Sequence, residues 1–132
     1  MSSVVFALAL AAGSWAAGPS APGGGAGVTV VKGVLCTAIA DREAADPRDS
    51  GAEYEARMDR IYYWNAAEVS RPPRTIRHVW SREGKALADI KLNLKNRKAR
   101  TWSSKQVFPG DWKVEAVGED GEVLAPAVFK VR

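Results

Sequence analysis

The chain has 132 residues, enough for one folded domain, and its 19 basic and 15 acidic side chains leave a net charge of +4. Cys36 is the only cysteine, which excludes an intramolecular disulfide and a disulfide-rich scaffold. His78 is the only histidine, and no carboxylates cluster at ligand spacing, so the sequence predicts neither a metal site nor a cofactor. We expect Cys36 to be a small buried apolar residue, with an intermolecular disulfide as the alternative.

Residues 1–17 are interpreted as a secretory signal peptide. Val4–Ala12 is a short apolar run, and small residues follow it at the spacing that a signal peptidase requires. This run is too short to span a membrane, which takes about 20 apolar residues. The alternative is a membrane anchor that is truncated in this sequence. Residues 18–27, GPSAPGGGAG, predict a flexible tether. We therefore expect a periplasmic or secreted protein, and a membrane-tethered form is left open.

Residues 28–132 are predicted to form a single domain of short strands. Segments rich in β-branched and aromatic residues alternate with turn-forming Gly, Pro and Asp. In chain order the predicted elements are a strand at 28–40 interrupted near Gly33, a short helix over 53–58 capped from Ser50, and strands at 58–64, 75–80, 87–94, 100–107, 112–116 and 123–131. Pro126 in the last segment predicts an edge position or a bulge.

The clearest strand is 87–94, where apolar and polar residues alternate. Its predicted inner face consists of Ala88, Ile90, Leu92 and Leu94. Alternation of this kind in about seven short segments, without a long helix, predicts an all-β fold. The pattern favours an antiparallel β-sandwich of the immunoglobulin-like kind.

Several short motifs between residues 33 and 132 resemble a bacterial family catalogued as domain of unknown function 2914. The motifs are Tyr62-Tyr63-Trp64, His78-Val79-Trp80 followed by Arg82-Glu83-Gly84-Lys85, Arg100-Thr101-Trp102-Ser103-Ser104-Lys105, Gly110-Asp111-Trp112-Lys113-Val114-Glu115, and Asp120-Gly121-Glu122-Val123-Leu124 with Phe129. The resemblance implies an extracytoplasmic or membrane-tethered module. It implies no activity, ligand or catalytic residue.

The tryptophans divide into two groups. Trp112 alternates with apolar residues and is predicted to lie in the core, and Trp80 or Trp64 is expected there by analogy with the buried strand tryptophan of immunoglobulin-like domains. Trp102 shares a face with Arg100 and Ser104, so its position is open: a core residue, a platform for a ligand, or a protein contact.

Positive charge is concentrated in one part of the chain. Residues 71–105 contain eleven basic and two acidic side chains, a net charge of +9, whereas residues 41–60 have a net charge of −3. A segment this basic attracts anionic polymers, and the alternative is an ordinary solvated face. The hypothetical binding residues are Arg97, Lys98, Arg100, Trp102, Ser104 and Lys105.

No catalytic pattern is recognisable in the sequence. A serine nucleophile would require Ser103 or Ser104 to meet His78 and an acid across the fold, and no nucleophile elbow supports this. The acidic residues lie mainly in 41–59 and in a turn, which is typical of solvated segments. His78 is expected to be a packed or rim residue, and we predict that the protein is not an enzyme.

The sequence therefore favours an exported, non-enzymatic module that binds a cell-envelope partner, either an anionic polymer or a protein. The alternative is a structural or assembly domain that makes protein–protein contacts in an envelope complex, and an enzyme is the least favoured reading. Nucleic acid is disfavoured as a partner if the protein is exported. The oligomeric state is open.

Overall fold

The computed structural model describes residues 27–132, which form ten β-strands and no helix. The predicted signal peptide and residues 18–26 of the predicted tether lie outside the described residues. The strands are β1 Val28–Cys36, β2 Ile39–Ala40, β3 Glu43–Ala44, β4 Ala52–Tyr54, β5 Arg60–Val69, β6 Arg74–Arg82, β7 Lys85–Leu94, β8 Lys98–Gln106, β9 Gly110–Val117 and β10 Val123–Val131. Within residues 27–132 there is no helix long and apolar enough to cross a membrane.

The strands form two larger sheets and one small hairpin. The three-stranded sheet has the order β1-β5-β8, the five-stranded sheet has the order β4-β10-β9-β6-β7, and β2 pairs with β3. Neighbouring strands are antiparallel except for β4 and β10, which are parallel. The all-β prediction is confirmed.

Both larger sheets contribute to one hydrophobic core. Trp80, Trp112 and Phe129 come from the five-stranded sheet, and Ile61 and Tyr63 from the three-stranded sheet. The Trp112 and Phe129 rings stack at 5.9 Å between centroids with 9° between their planes. Full burial of a large apolar side chain stabilises the fold by about 1.5–3 kcal/mol. Trp112 is buried, as the alternation predicts, and Trp80 is buried, as the analogy with immunoglobulin-like domains predicts.

The helix predicted over 53–58 is wrong, because this segment begins as strand β4. Ala52 and Tyr54 are buried while Glu53 between them is exposed, which is the period of a strand. Ser50, expected to cap a helix, instead accepts a hydrogen bond from the Val128 backbone N–H at 3.0 Å. Packing of Tyr54 against the core therefore overrides the local helix signal.

The first predicted strand differs in two details. β1 ends at Cys36, and the chain then turns back as the β2–β3 hairpin, whereas the sequence predicted one strand to Ala40. The interruption falls between Val30 and Lys32 rather than at Gly33. Gly33 has a different role, since a Cβ there would lie 2.6 Å from the Tyr63 hydroxyl.

Pro126 lies at a point of β10 where no strand pairs on one side, so its missing backbone N–H costs no hydrogen bond between strands. It pairs with Glu115 of β9, while β4 pairs only with Phe129–Val131 on the other side of β10. A register irregularity also lies between Val123 and Ala125. The prediction that Pro126 marks an edge position or a bulge is confirmed.

Candidate functional site

Trp102 points away from the main core, on the outer face of the three-stranded sheet. Ser103, its neighbour on β8, is buried and contacts core residues of the opposite sheet. Because successive side chains of a strand point to opposite faces, Arg100, Trp102 and Ser104 share the outer face. Trp102 is half-buried there, packed in a second cluster with Val34, Cys36 and Trp64.

This outer face consists of cross-strand rows from β1, β5 and β8. The rows are Lys32–Ala66–Arg100, Val34–Trp64–Trp102 and Cys36–Tyr62–Ser104. Three aromatic side chains, Tyr62, Trp64 and Trp102, therefore lie side by side, and we call their surface the aromatic face. Directly opposed side chains lie about 4.5–5.5 Å apart at Cβ, close enough to pack.

The β2–β3 hairpin covers part of the aromatic face. The Trp64 indole N–H donates to the Arg42 carbonyl at 2.9 Å, and the Arg42 guanidinium carbon lies 5.8 Å from the centre of the Trp102 ring. Asp41 and Arg42 both have positive φ, 51° and 66°, as a two-residue hairpin turn requires. A non-glycine residue in this region costs about 1–2 kcal/mol. The contacts that Arg42 makes offset that strain.

Cationic side chains surround the aromatic face. The Lys32 ammonium lies 6.0 Å from the centre of the Trp64 ring, and Arg60 donates to the Ser104 hydroxyl at 2.9 Å. Arg100 forms an ion pair with Glu43 of the hairpin, and both side chains are about half exposed. Aromatic rings flanked by guanidinium groups suit a ligand that is both anionic and flat-sided.

The six residues proposed from the sequence do not all lie together. Arg100, Trp102 and Ser104 are neighbours on the aromatic face. Lys105 is on the other side of β8, with its ammonium 5.9 Å from the centre of the Trp112 ring. Lys98, the first residue of β8, shares the face of Arg100 by alternation but lies at the end of the strand. There it lines a shallow groove of about 390 Å³ with Arg97, which precedes β8.

The basic stretch 71–105 is distributed over several surfaces. Arg77 on β6 pairs with Asp89 at 2.5 Å, and Arg74 approaches Glu119 at 3.5 Å, both away from the aromatic face. Sequence reasoning missed Arg42 and Arg60 as members of the candidate site. Arg42 lies in a segment of net negative charge, so no charge signal marked it. Alternation along the strand puts Arg60 on one face with Tyr62 and Trp64, and this signal could have identified it.

A buried polar network crosses the core between the two sheets. His78 of β6 bonds through Nδ1 to the Ser103 hydroxyl at 2.6 Å and through Nε2 to Asn65 Oδ1 at 2.7 Å. The Trp80 indole N–H donates to the same Ser103 oxygen at 3.0 Å. Since the Asn65 carbonyl oxygen only accepts, Nε2 carries the proton, and Nδ1 accepts from Ser103. Every member of this network is therefore satisfied.

The serine–histidine pair of this network is buried, so a substrate has no access to it. Asn65 and His78 are fully buried and Ser103 is 6% exposed. Burial lowers the pKa of His78 to about 3, so the imidazole is neutral at pH 7. Asn65 and Ser103 belong to one sheet and His78 and Trp80 to the other, so the network fixes the relative position of the sheets.

A groove on the five-stranded sheet carries no convergent chemistry. Its volume is about 490 Å³, and its charged lining residues are Glu53, Glu83, Asp111, Lys113 and Lys130. The Glu83 carboxylate is already bonded to the Asp111 backbone N–H at 2.6 Å. No group of three or more His, Cys, Asp or Glu residues within 27–132 is placed to hold a metal ion.

Comparison with known proteins finds a match to one family, whose function is unknown. Residues 73–131 match the family model described as protein of unknown function, DUF2914. The resemblance expected from the sequence motifs is confirmed over these residues. The match takes in β6 to β10, and so Trp102, but neither β5 nor the β2–β3 hairpin. No curated protein matches the chain.

Proposed function

We propose that the protein is an exported, non-enzymatic module with an immunoglobulin-like β-sandwich fold, and that it binds an anionic polymer of the cell envelope through the aromatic face. The observation that carries the proposal is the outward position of Trp102, among Arg42, Arg60 and Arg100. The short apolar run at Val4–Ala12 supports export.

The strand order supports the immunoglobulin-like part of the proposal. If β5, β6, β8, β9 and β10 are taken as strands B, C, E, F and G, then B and E share one sheet and C, F and G share the other, as in immunoglobulin domains. Trp80 then lies on strand C, the position of the buried tryptophan in that fold. Two sheets with a shared core match this architecture.

The chemistry of the aromatic face suits a polyanion with flat apolar units. Guanidinium groups bind carboxylates and phosphates through paired N–H donors. An indole ring provides a rigid apolar surface for a sugar ring, and it loses little conformational entropy on binding. Because the cations are exposed, their contribution to affinity falls as salt increases.

Titration with an acidic glycan at two salt concentrations tests this proposal. We expect polygalacturonate to bind at low salt and to bind more weakly at high salt, and Arg100→Glu to lower the affinity. Lys91→Glu is the matched control, since Lys91 is an exposed basic residue on edge strand β7 of the other sheet. Binding that ignores salt, or that both variants weaken equally, contradicts the proposed site.

Export is tested by the mass of the mature protein. We expect cleavage close to residue 17 in the native host. A cytoplasmic protein with an intact N-terminus would contradict export and would make nucleic acid a candidate partner.

A further inference from the structure

Arg100 can bind a carboxylate, and in the structure it binds the carboxylate of Glu43 from the same chain. We propose that the unit recognised on the aromatic face is a carboxylated sugar, and that Glu43 of the β2–β3 hairpin competes with the sugar's carboxylate for Arg100. This inference rests on the proposed function and adds the class of ligand and a residue that limits its affinity.

The hairpin carries two groups to the place where a ligand would bind. Glu43 pairs its carboxylate with the Arg100 guanidinium, and Arg42 places its own guanidinium over the Trp102 ring. The Arg100 and Glu43 side chains are 47% and 53% exposed. An exposed pair of this kind is weak and exchanges readily with another carboxylate. A ligand carboxylate could therefore replace Glu43 as the ion-pair partner of Arg100.

The side chains beyond Arg100 fit the rest of a sugar unit. Arg100, Trp102 and Ser104 follow one another at every second position of β8, about 6.6 Å apart. A carboxylate on Arg100 would place the sugar ring against Trp102 and its hydroxyls near Ser104 and Arg60, which already share a hydrogen bond of 2.9 Å.

Glu43 also reduces the advantage that a phosphate has over a carboxylate at this cationic face. After displacement its carboxylate stays close, because the hairpin remains tied to the sheet by the bond from Trp64 to the Arg42 carbonyl. The repulsion between Glu43 and the ligand grows with the ligand's charge. Glu43 therefore offsets part of the extra attraction that a phosphate monoester, with nearly two negative charges, has for Arg42, Arg60 and Arg100.

Calorimetric titration of the full chain with galacturonate oligomers tests the competition. We expect Glu43→Gln to raise the affinity about two- to fivefold, the range that loss of an exposed ion pair supports. Glu43→Asp, with its shorter side chain, should give an intermediate affinity, and Arg100→Gln should lower it. Glu53→Gln is the matched control, because Glu53 is also an exposed partner of an arginine, Arg132, but lies on the other sheet.

The outcomes separate this inference from the proposed function. If the wild type binds the oligomers but Glu43→Gln and Glu43→Asp leave the affinity unchanged or lower it, the competition is overturned and the binding module stands. If the wild type binds polyphosphate or dextran sulfate more tightly than galacturonate oligomers, the carboxylated sugar is overturned. If neither the wild type nor Glu43→Gln binds any of these polyanions, the proposed function falls and this inference with it.

Discussion

Trp64 and Trp102 are directly opposed on β5 and β8, yet Trp64 is buried while Trp102 is only partly buried. Trp64 is 4% exposed and donates its indole N–H to the Arg42 carbonyl. Trp102 is partly buried against the same cluster, and the Arg42 guanidinium carbon lies 5.8 Å from the centre of its ring. The two side chains of this row therefore differ in burial, and in the proposed function Trp64 stabilises the fold while Trp102 contacts the ligand.

Substitution of the two tryptophans should separate these roles. We expect Trp64→Ala to lower the free energy of unfolding by about 3 kcal/mol, as for other buried aromatic residues. Trp102→Ala should cost less, about 1–2 kcal/mol, because Trp102 is only partly buried. Urea denaturation measures both values. Equal losses would show that Trp102 is as much a core residue as Trp64.

The free energy of unfolding should decrease as the pH is lowered from about 6.5 towards 3, because His78 takes up a proton in the unfolded chain but not in the folded one. The unfolded histidine titrates near pH 6.5, while burial lowers the pKa of folded His78 to about 3. Between these values the unfolded state holds the extra proton, so the stability present above pH 6.5 is lost as pH falls, by about 1.4 kcal/mol per unit.

The His78→Gln variant isolates this contribution. Its unfolding free energy should depend less steeply on pH between 6 and 4 than that of the wild type, by about the slope of one proton. Tyr63 packs against His78 but does not titrate in this range, since burial raises its pKa to about 12. If both proteins have the same pH slope, His78 is not held neutral by the fold.

Gly33→Ala should disturb the buried network from the β1 side. The new methyl group would lie 2.6 Å from the Tyr63 hydroxyl and 3.1 Å from Asn65 Nδ2. Tyr63 and Asn65 are fully packed, so neither moves without strain, and we expect a loss of about 1–3 kcal/mol. Thermal unfolding measures the effect.

Gly118→Ala is the matched control for the Gly33 prediction. A Cβ at Gly118 would make contacts no closer than 3.4 Å, to the Asp120 carboxylate. Its stability should stay within about 0.5 kcal/mol of the wild type. Comparable losses in both variants would mean that the close approach at Gly33 is not the cause.

The sequence predicted those parts of the fold that depend on alternation within one strand. The predicted inner face of 87–94 is the less exposed face of β7, and Trp112 is buried as predicted. Gly84 and Gly121 have positive φ in turns between strands. The segment at Ser50 was mispredicted because a local capping pattern was read without Tyr54, whose burial depends on a contact with Phe129 from the far end of the chain.

From the sequence, the candidate site was predicted only along β8. Alternation placed Arg100, Trp102 and Ser104 on one face but left open whether that face met the core. The answer depends on Ser103, which turns inward to His78, 25 residues away in the sequence. Arg42 was not predictable, because it reaches Trp102 through a hairpin whose two turn residues, Asp41 and Arg42, are not the Asn-Gly pair that marks such turns.

The most direct test of the central claim is calorimetric titration of Trp102→Ala with polygalacturonate at low salt. Phe108→Ala is the control, since Phe108 is an aromatic residue that is 44% exposed and packs on Trp112 rather than on the aromatic face. The account predicts that Trp102→Ala lowers the affinity about tenfold or more while Phe108→Ala leaves it unchanged. Unchanged affinity in Trp102→Ala, or an equal loss in both variants, would contradict it.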